Sequence, residues 1–326
     1  MTSGPSSVRL VGIGIAFAVV AACWALTCAA WRFDRVAAGV VPLDPREFER
    51  LTVIVLGSGG PHPDPNRRGP AVALAAGKDV VLVDAGRGVA EGLRAAKLPV
   101  TQPGIVLLSS GLPENAVGLD DLLAARWQTG ETTPLRLYGP PGTAALTREL
   151  ESALRSSGRS LWGALGIAGE PPGLEAHDVD DGFTLAQDEL TLRAGALPGG
   201  PVPALAWRAE WRGRSALVSS VGFAPDALAR EARGAQLWLH EAVMLPTPEQ
   251  VKEFGVEADP ERLRHEAALW TSVAQSGVLA HRAGTETLVL VRLWPPPVFA
   301  FQITSQVDDA FAGRIVVPDD GEEITP

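Results

Sequence analysis

Short apolar runs rich in β-branched residues recur along the chain and end in glycine or polar turn residues, a pattern typical of buried β-strands. Amphipathic segments lie between many of these runs and predict helices. The strands come first in pairs and then alternate with helices, in two successive halves, which favours mixed sheets with helices outside them. The predicted strands are 51–56, 71–75, 80–83, 105–108, 135–138, 190–196, 204–211, 215–219, 236–240, 287–292, 298–303 and 313–317. The predicted helices are 89–96, 117–126, 144–155, 226–233 and 260–282, and residues 156–175 are expected to be irregular.

The first apolar run differs from the others in its length. Residues 10–31 contain no charged side chain and, at about 1.5 Å rise per residue, form a helix long enough to cross a hydrocarbon core of about 30 Å. An uncleaved transmembrane anchor is the favoured interpretation; a signal peptide, or lipoprotein processing at Cys23, is the alternative. The predicted organisation is a tail at 1–9, the anchor at 10–31, a linker at 32–50 and one domain at 51–326.

Composition limits the expected partners of the domain. The 326 residues carry a formal net charge of −10, with a pI of about 5.1, and show no dense run of Lys or Arg. Because nucleic-acid binding depends on neutralising phosphates, no nucleic-acid partner is expected. Both cysteines, Cys23 and Cys28, lie in the apolar run, so the domain is expected to contain no disulfide and no thiolate ligand.

These features together favour a single-pass membrane protein whose domain is extracytoplasmic. The two flanks of the apolar run carry similar positive charge, so the orientation rests on the absence of thiols from the domain. The expected partners are the membrane, through the first helix, and an unidentified small molecule or protein. A second copy of the chain, forming a homodimer, is a further candidate.

Seven short motifs in register carry a resemblance to a known fold. In their order and spacing the chain resembles the metallo-β-lactamase fold, in its ribonuclease Z and arylsulfatase-like branch, from about residue 51 to the C-terminus. The resemblance implies an α/β fold, a four-layer αββα sandwich of two mixed β-sheets, with its site on loops at one edge. The motifs are Leu56–Pro61 (LGSGGP), Arg68–Ala71 (RGPA), Asp84–Gly88 (DAGRG), Gly118–Leu122 (GLDDL), Tyr138–Thr143 (YGPPGT), His240–Ala242 (HEA) and Thr271–Ser272.

The resemblance also implies a metal site, and each expected ligand position can be identified. Zinc takes about four donors from imidazole, carboxylate or thiolate groups. At the expected ligand positions Leu112, Gly199 and Val221 offer no donor, and Arg292 adds a positive charge. The sequence therefore predicts a degenerate pocket with no metal cofactor and no metal-activated water. The family's His-x-His-x-Asp-His motif falls on Ser110, Leu112, Glu114 and Asn115, the later ligands fall on Gly199, Val221 and Arg292, and a proton-shuttling histidine falls on Trp270.

Two hypotheses of function follow from this comparison. The leading one is a protein that has lost its metal ligands and acts by binding or scaffolding rather than by catalysis. Arg292, Trp270 and Glu114 would then line a remodelled pocket for an anionic or aromatic small molecule. The alternative is a hydrolase, a phosphodiesterase or a sulfatase-like enzyme, that uses relocated zinc, another relocated divalent metal or relocated catalytic residues. Ribonuclease Z activity itself is the weakest of the hypotheses.

Under the alternative, the candidate catalytic residues are Glu114, His62, Asp84, His240 and Glu241. His62 is more simply a solvated loop histidine. Asp84 is expected to orient the neighbouring loop by hydrogen bonds. Glu241 is expected to form a structural hydrogen bond or an ion pair with Arg292.

Several other polar residues are expected to be structural or solvated. His177 lies in an acidic loop, where loose calcium binding is the less common explanation. His265 and His281 are expected on one helix, sixteen residues apart and too distant to bind a metal together. Asp120 and Asp121 are expected on the surface of the first turn of a helix, where the helix dipole favours them.

Overall fold

The computed structural model describes residues 6–244, 253, 259–293, 297 and 299–326. The chain divides into two compact units, Met1–Leu43 and Asp44–Pro326. The first unit contains one long helix, and the second contains both β-sheets.

Helix α1 spans Ser6–Val40. Its segment Ile15–Phe33 has a mean hydropathy of 1.7, and none of it is buried. By length and composition this helix is able to cross a membrane. The helix continues past the expected boundary at residue 31, because residues 32–38 contain neither Gly nor Pro to end it.

Sheet 1 combines the five predicted strands of the first half with two strands that were not predicted, one in the middle of the chain and one at its C-terminus. Its order is β15-β1-β2-β3-β4-β5-β6, and the pairings from β3 to β6 are parallel. The strands are β1 Phe48–Gly57, β2 Ala71–Gly77, β3 Asp79–Val83, β4 Ile105–Leu107, β5 Leu135–Gly139, β6 Leu174–Asp178 and β15 Glu323–Ile324.

Sheet 2 contains the strands of the second half. Its order is β14-β13-β11-β10-β9-β8-β7, with the short β12 paired to β11. The pairings from β10 through β11 and β13 to β14 are parallel. The strands are β7 Thr184–Gln187, β8 Leu190–Ala196, β9 Leu205–Trp211, β10 Arg214–Ser219, β11 Leu237–Val243, β12 Thr271–Ser272, β13 Thr287–Val291 and β14 Arg314–Val316.

Helices cover the outer face of each sheet. An apolar cluster containing Val53, Leu74 and Trp207 fills the space between the sheets. A second cluster lies between sheet 1 and helices such as the one containing Trp162, and a third lies between sheet 2 and its helices. This arrangement is the expected αββα sandwich. The helices of this unit are α2 Val89–Ala95, α3 Pro113–Ala116, α4 Leu119–Gln128, α5 Thr143–Ala164, α6 Pro225–Ala232, α7 Pro260–Ala267, α8 Val273–Ala283 and α9 Phe301–Val307.

The single helix predicted over 260–282 is wrong, since the structure contains α7 and α8 with β12 between them. Thr271 pairs with Ala242 of β11, which interrupts the helix. Ser272 then caps α8 through a reciprocal pair of hydrogen bonds with Gln275. His265 and His281 therefore lie on different helices, contrary to the expectation.

Two other predicted segments have a different structure. Of the strand predicted at 298–303, residue 298 lies outside the described residues and 301–303 belong to α9. The buried residues Ile303 and Val307 lie four apart, as one face of a helix requires. The irregular segment predicted at 156–175 is wrong at both ends. Helix α5 continues to Ala164, and β6 begins at Leu174.

Candidate active site

The carboxyl ends of the parallel strands of both sheets meet at one edge of the sandwich. Asp84 follows β3, and Ser109 and Ser110 follow β4. From sheet 2, Glu241 lies on β11 and Arg292 follows β13. The site is therefore built from both halves of the chain, as the carboxyl edge of a parallel sheet commonly is.

A buried guanidinium joins the two sheets at this edge. Arg292 Nη2 lies 2.5 Å from Asp84 Oδ2. Arg292 Nη1 donates to Glu241 Oε2 at 3.0 Å and to Asn115 Oδ1 at 2.9 Å. The side chains of Asp84, Glu241 and Arg292 are 0%, 2% and 5% exposed, so these contacts are shielded from solvent. The expected ion pair between Glu241 and Arg292 is confirmed.

Asp84 and Arg292 both have a left-handed backbone conformation. Their φ angles are 61° and 58°. This region costs a non-glycine residue about 1 kcal/mol or more, and such residues are often found at functional sites. At the end of each strand, it places the carboxylate and the guanidinium where they can meet. The backbone N–H of Arg292 also donates to the carbonyl of Ser58 at 2.8 Å, which fixes the neighbouring glycine loop.

Asp84 also organises the loop after β4, as the sequence predicted. Its Oδ1 accepts from the backbone N–H of Ser109 at 2.8 Å, and its Oδ2 accepts from Ser109 Oγ at 2.7 Å. The Ser109 hydroxyl is 2.8 Å from the Oγ of Ser220, which directly follows β10 of sheet 2. Asn115 Nδ2 donates to Ser110 Oγ at 2.7 Å and to Ser109 Oγ at 3.1 Å.

Gly118 holds this loop against the turn after β3. Its N–H donates to the carbonyl of Ala85 at 2.8 Å, and the N–H of Ala85 donates to the carbonyl of Asn115 at 2.7 Å. A Cβ at position 118 would lie 2.1 Å from the carbonyl oxygen of Gly86, so only glycine permits this approach. The motif Gly118–Leu122 thus begins with a residue that is required by packing.

His240 is buried below the network. Its Nδ1 is 2.8 Å from Ser219 Oγ and its Nε2 is 2.9 Å from Thr271 Oγ1, so both ring nitrogens are engaged by hydroxyl groups. Burial, with a smaller contribution from the positive charge of Arg292, lowers the pKa of His240 to about 3. A neutral imidazole held between two hydroxyl groups is a structural feature, and it has no exposed face for a substrate.

The acidic groups of the site are shifted in the opposite direction. Burial, with a smaller contribution from the nearby charge of Glu114, raises the pKa of Glu241 above its ordinary value, and the ion pair with Arg292 opposes this shift. Burial also raises the pKa of Asp84, against the effect of Arg292. Burial alone would lower the pKa of Arg292, but Glu241 and Asp84 outweigh it and raise the pKa above its ordinary value.

The residues at the expected ligand positions do not form a zinc site. Leu112 and Val221 pack in the apolar cluster of sheet 2, and Gly199 presents no side chain. Trp270 is buried, and its Nε1 has no partner within the described residues. Glu114 is partly exposed and is the one carboxylate among these positions. Over residues 6–244 and the later described segments, no three His, Cys, Asp or Glu side chains come together as a metal site requires.

The remaining candidates lie away from the network or at its border. His62 is partly exposed in the loop between β1 and β2. His177 is exposed and stacks on Tyr138 with ring centroids 5.1 Å apart. Asp120 and Asp121 are exposed in the first turn of α4, as expected.

Sequence reasoning missed the hydroxyl groups that complete the site. Ser109 bridges Asp84, Asn115 and Ser220, and it was not among the candidates. A signal was present, because a Ser-Ser pair follows a buried strand twice, at 109–110 and at 219–220. Polar residues in such pairs at strand ends of both sheets can meet at the shared edge.

The fold and the position of the site define the class of protein. The structure resembles the metallo-β-lactamase fold protein YhfI from Bacillus subtilis, with a TM-score of 0.63 and 17% sequence identity over 85% of this chain and 99% of that one. It also resembles human tRNase Z, short form, with a TM-score of 0.62 and 17% identity over 84% of this chain and 99% of that one. The fold is that of the metallo-β-lactamases.

The sequence gives the family. The chain is 32% identical over 278 residues to the ribonuclease Z of Mycobacterium avium (strain 104), which covers 83% of this chain and 96% of that protein. No family model matches the chain. With this identity over nearly the whole relative, the chain belongs to the ribonuclease Z family of the metallo-β-lactamase fold, and the resemblance seen in the motifs is confirmed.

This membership corrects two expectations. The prediction of a non-catalytic binding or scaffolding protein is wrong, because the relatives are ribonucleases and the family is one of hydrolases. The prediction of no nucleic-acid partner is wrong for the same reason. Loss of ligands at a few positions and an acidic net charge were both insufficient grounds for those conclusions.

Membership of the family does not by itself show that this chain binds a metal. A structure with the same fold, PqqB from Methylobacterium extorquens, is described as Zn²⁺-bound, with a TM-score of 0.60 and 16% identity over 85% of this chain and all of that one. In the present chain the corresponding edge contains a guanidinium and apolar side chains, a donor set that does not fit zinc.

Proposed function

We propose that the domain is a hydrolase of phosphodiester bonds in RNA and that the reaction takes place at the edge next to Arg292. The similarity to a ribonuclease Z over 278 residues carries this proposal. The fold supports it, because the parallel strands of both sheets bring their carboxyl ends, and the polar residues there, to one edge.

Glu114 is the side chain best placed to act on a proton. It lies in the first turn of α3, directly before Asn115 of the network, and it is partly exposed. Asp84, His240 and Glu241 are fully buried and engaged with protein partners, so they are positioning groups. We infer that Glu114 accepts a proton from the water that attacks phosphorus, while the P–O bond to the departing oxygen breaks and that oxygen takes up a proton from solvent. The network below keeps the loop of Glu114 in place.

The proposal is tested by incubating the intact chain with a labelled tRNA transcript and with an unstructured RNA. A chromogenic phosphodiester and a chromogenic sulfate ester are assayed in parallel, each with and without added Zn²⁺. Cleavage of RNA and of the phosphodiester is expected, and the sulfate ester is expected to remain intact. Failure to cleave any phosphodiester in either condition would contradict the proposal, and preferential sulfate hydrolysis would favour a sulfatase.

We also propose that α1 is a single-pass membrane anchor. Its apolar segment Ile15–Phe33 is exposed and has the length and composition of a spanning helix. The extracytoplasmic position of the domain and the homodimer stay predictions.

The anchor is tested by separating membranes from soluble protein after expression of the intact chain. The chain is expected in the membrane fraction and is expected to resist alkaline extraction. Replacing Ala25 and Leu26 by arginine should release it, since an arginine at the centre of a span costs about 2.5–3.5 kcal/mol. Protease protection then gives the side of the domain. A wild-type chain found in the soluble fraction would contradict the proposal.

A further inference from the structure

Arg292 lies at a position where the fold family has a metal ligand. Its side chain cannot bind a metal ion, but its positive charge makes contacts with oxygen atoms that resemble those of a bound cation. Its guanidinium reaches oxygen atoms from three separate elements: Asp84 after β3, Asn115 on α3 and Glu241 on β11. The three nitrogen–oxygen distances are 2.5, 2.9 and 3.0 Å. Three oxygens converging on one positive group resemble the surroundings of a bound ion.

The site needs a cation for an electrostatic reason. Two acidic side chains, Asp84 and Glu241, are buried at 0% and 1% exposure at the same edge. Buried acids are stable only with a proton, a metal or a paired cation nearby. A guanidinium suits such a pair because its donors lie in a fixed plane and it stays charged at every physiological pH.

We infer that Arg292 is a built-in cation that replaces the structural role of a metal ion, by binding Asp84, Glu241 and Asn115 and so joining the two sheets. The folded site is then independent of divalent metal. The inference does not depend on the proposed hydrolysis, because it concerns stability and metal binding.

The contacts of the guanidinium also define the space that its removal would create. An alanine at position 292 would leave a space bordered by Asp84 Oδ2, Glu241 Oε2 and Asn115 Oδ1. Carboxylate and amide oxygens suit hard divalent ions such as Mn²⁺ rather than zinc. The variant is therefore expected to gain a metal site that the wild-type chain does not have.

The test compares the intact wild-type chain with Arg292→Ala, with and without Mn²⁺, after treatment with EDTA. The wild-type melting temperature is expected to be unchanged by EDTA or by Mn²⁺. Arg292→Ala is expected to melt about 10 °C lower in EDTA, because it leaves buried acids unpaired. Mn²⁺ is expected to recover much of that loss, with a bound-Mn²⁺ signal in electron paramagnetic resonance. A second variant, Arg292→Ala with Glu241→Gln, should bind Mn²⁺ at least about tenfold more weakly.

Each outcome decides the inference. A wild-type chain that is destabilised by EDTA, or that binds Mn²⁺ in a manner abolished by Glu241→Gln, would overturn it. A folded Arg292→Ala chain that ignores Mn²⁺ would also overturn it. If Arg292→Ala folds only when Mn²⁺ is present, the inference is supported. If Arg292→Ala does not fold at all, the melting temperature of the wild-type chain with and without EDTA decides the inference. An unchanged melting temperature supports the inference, and a lowered one contradicts it.

Discussion

Replacing Glu114 by glutamine is expected to slow cleavage of RNA by a factor of about 10²–10⁴, the contribution typical of a positioned general base. Glutamine keeps the size of the side chain and removes its ability to take a proton. Because Glu114 is partly exposed and lies outside the buried ion pairs, the melting temperature should change little. The measurement is the single-turnover cleavage rate with saturating enzyme, which separates chemistry from binding.

The matched control is Asp120→Asn, which removes an exposed carboxylate six residues further along, at the start of α4. This variant is expected to cleave at the wild-type rate. Equal rates for wild type and Glu114→Gln would show that another group takes the proton. A loss of the same size in both variants would point to the charge of the surface rather than to Glu114.

Acidification from pH 6.5 toward pH 3 is expected to lower the free energy of unfolding through His240, by up to about 5 kcal/mol. Burial depresses the pKa of His240 to about 3 in the folded chain. Below pH 6.5 the unfolded chain binds a proton that the folded chain does not, so stability is present above that pH and is lost as the pH falls. Denaturant unfolding at a series of pH values measures the effect.

His240→Asn removes the titrating ring and should flatten the acid side of this profile. His281→Asn is the matched control, because it replaces a histidine that is exposed on α8 rather than buried beside the network. Parallel profiles for wild type and His240→Asn between pH 6.5 and 3 would contradict the assignment to His240.

The fold could be predicted from the sequence because its strands are continuous apolar runs. Strands buried on both faces need such runs, and those at 51–56, 215–219 and 287–292 were found within one to three residues. Errors arose where tertiary contacts decide. The two residues of β12 are too short to leave a periodic signal, and α9 depends on burying Ile303 and Val307 against α8 and sheet 2.

The candidate site was predictable in part. The pairing of Glu241 with Arg292, and the role of Asp84 in holding a loop, followed from residue types on a known scaffold. The hydroxyl groups of Ser109 and Ser220 were missed, because they are 111 residues apart and become neighbours only when the two sheets pack.

Function was misjudged for two physical reasons. Net charge averages over the whole surface, whereas contact with RNA depends on groups at one edge. The loss of metal ligands concerns a few side chains, whereas the family relationship extends over 278 residues. The side chains of a site can therefore change while the protein still belongs to the same family.

At position 292 the backbone conformation and the side-chain contacts favour different residue types. The conformation favours a residue without a Cβ, while the surrounding oxygens favour a positive charge. Glycine would relax the chain and discard the cation; lysine would retain a cation and lose the planar fork. Arginine therefore keeps an unfavourable backbone conformation at this position, and in return its side chain binds three partners at once.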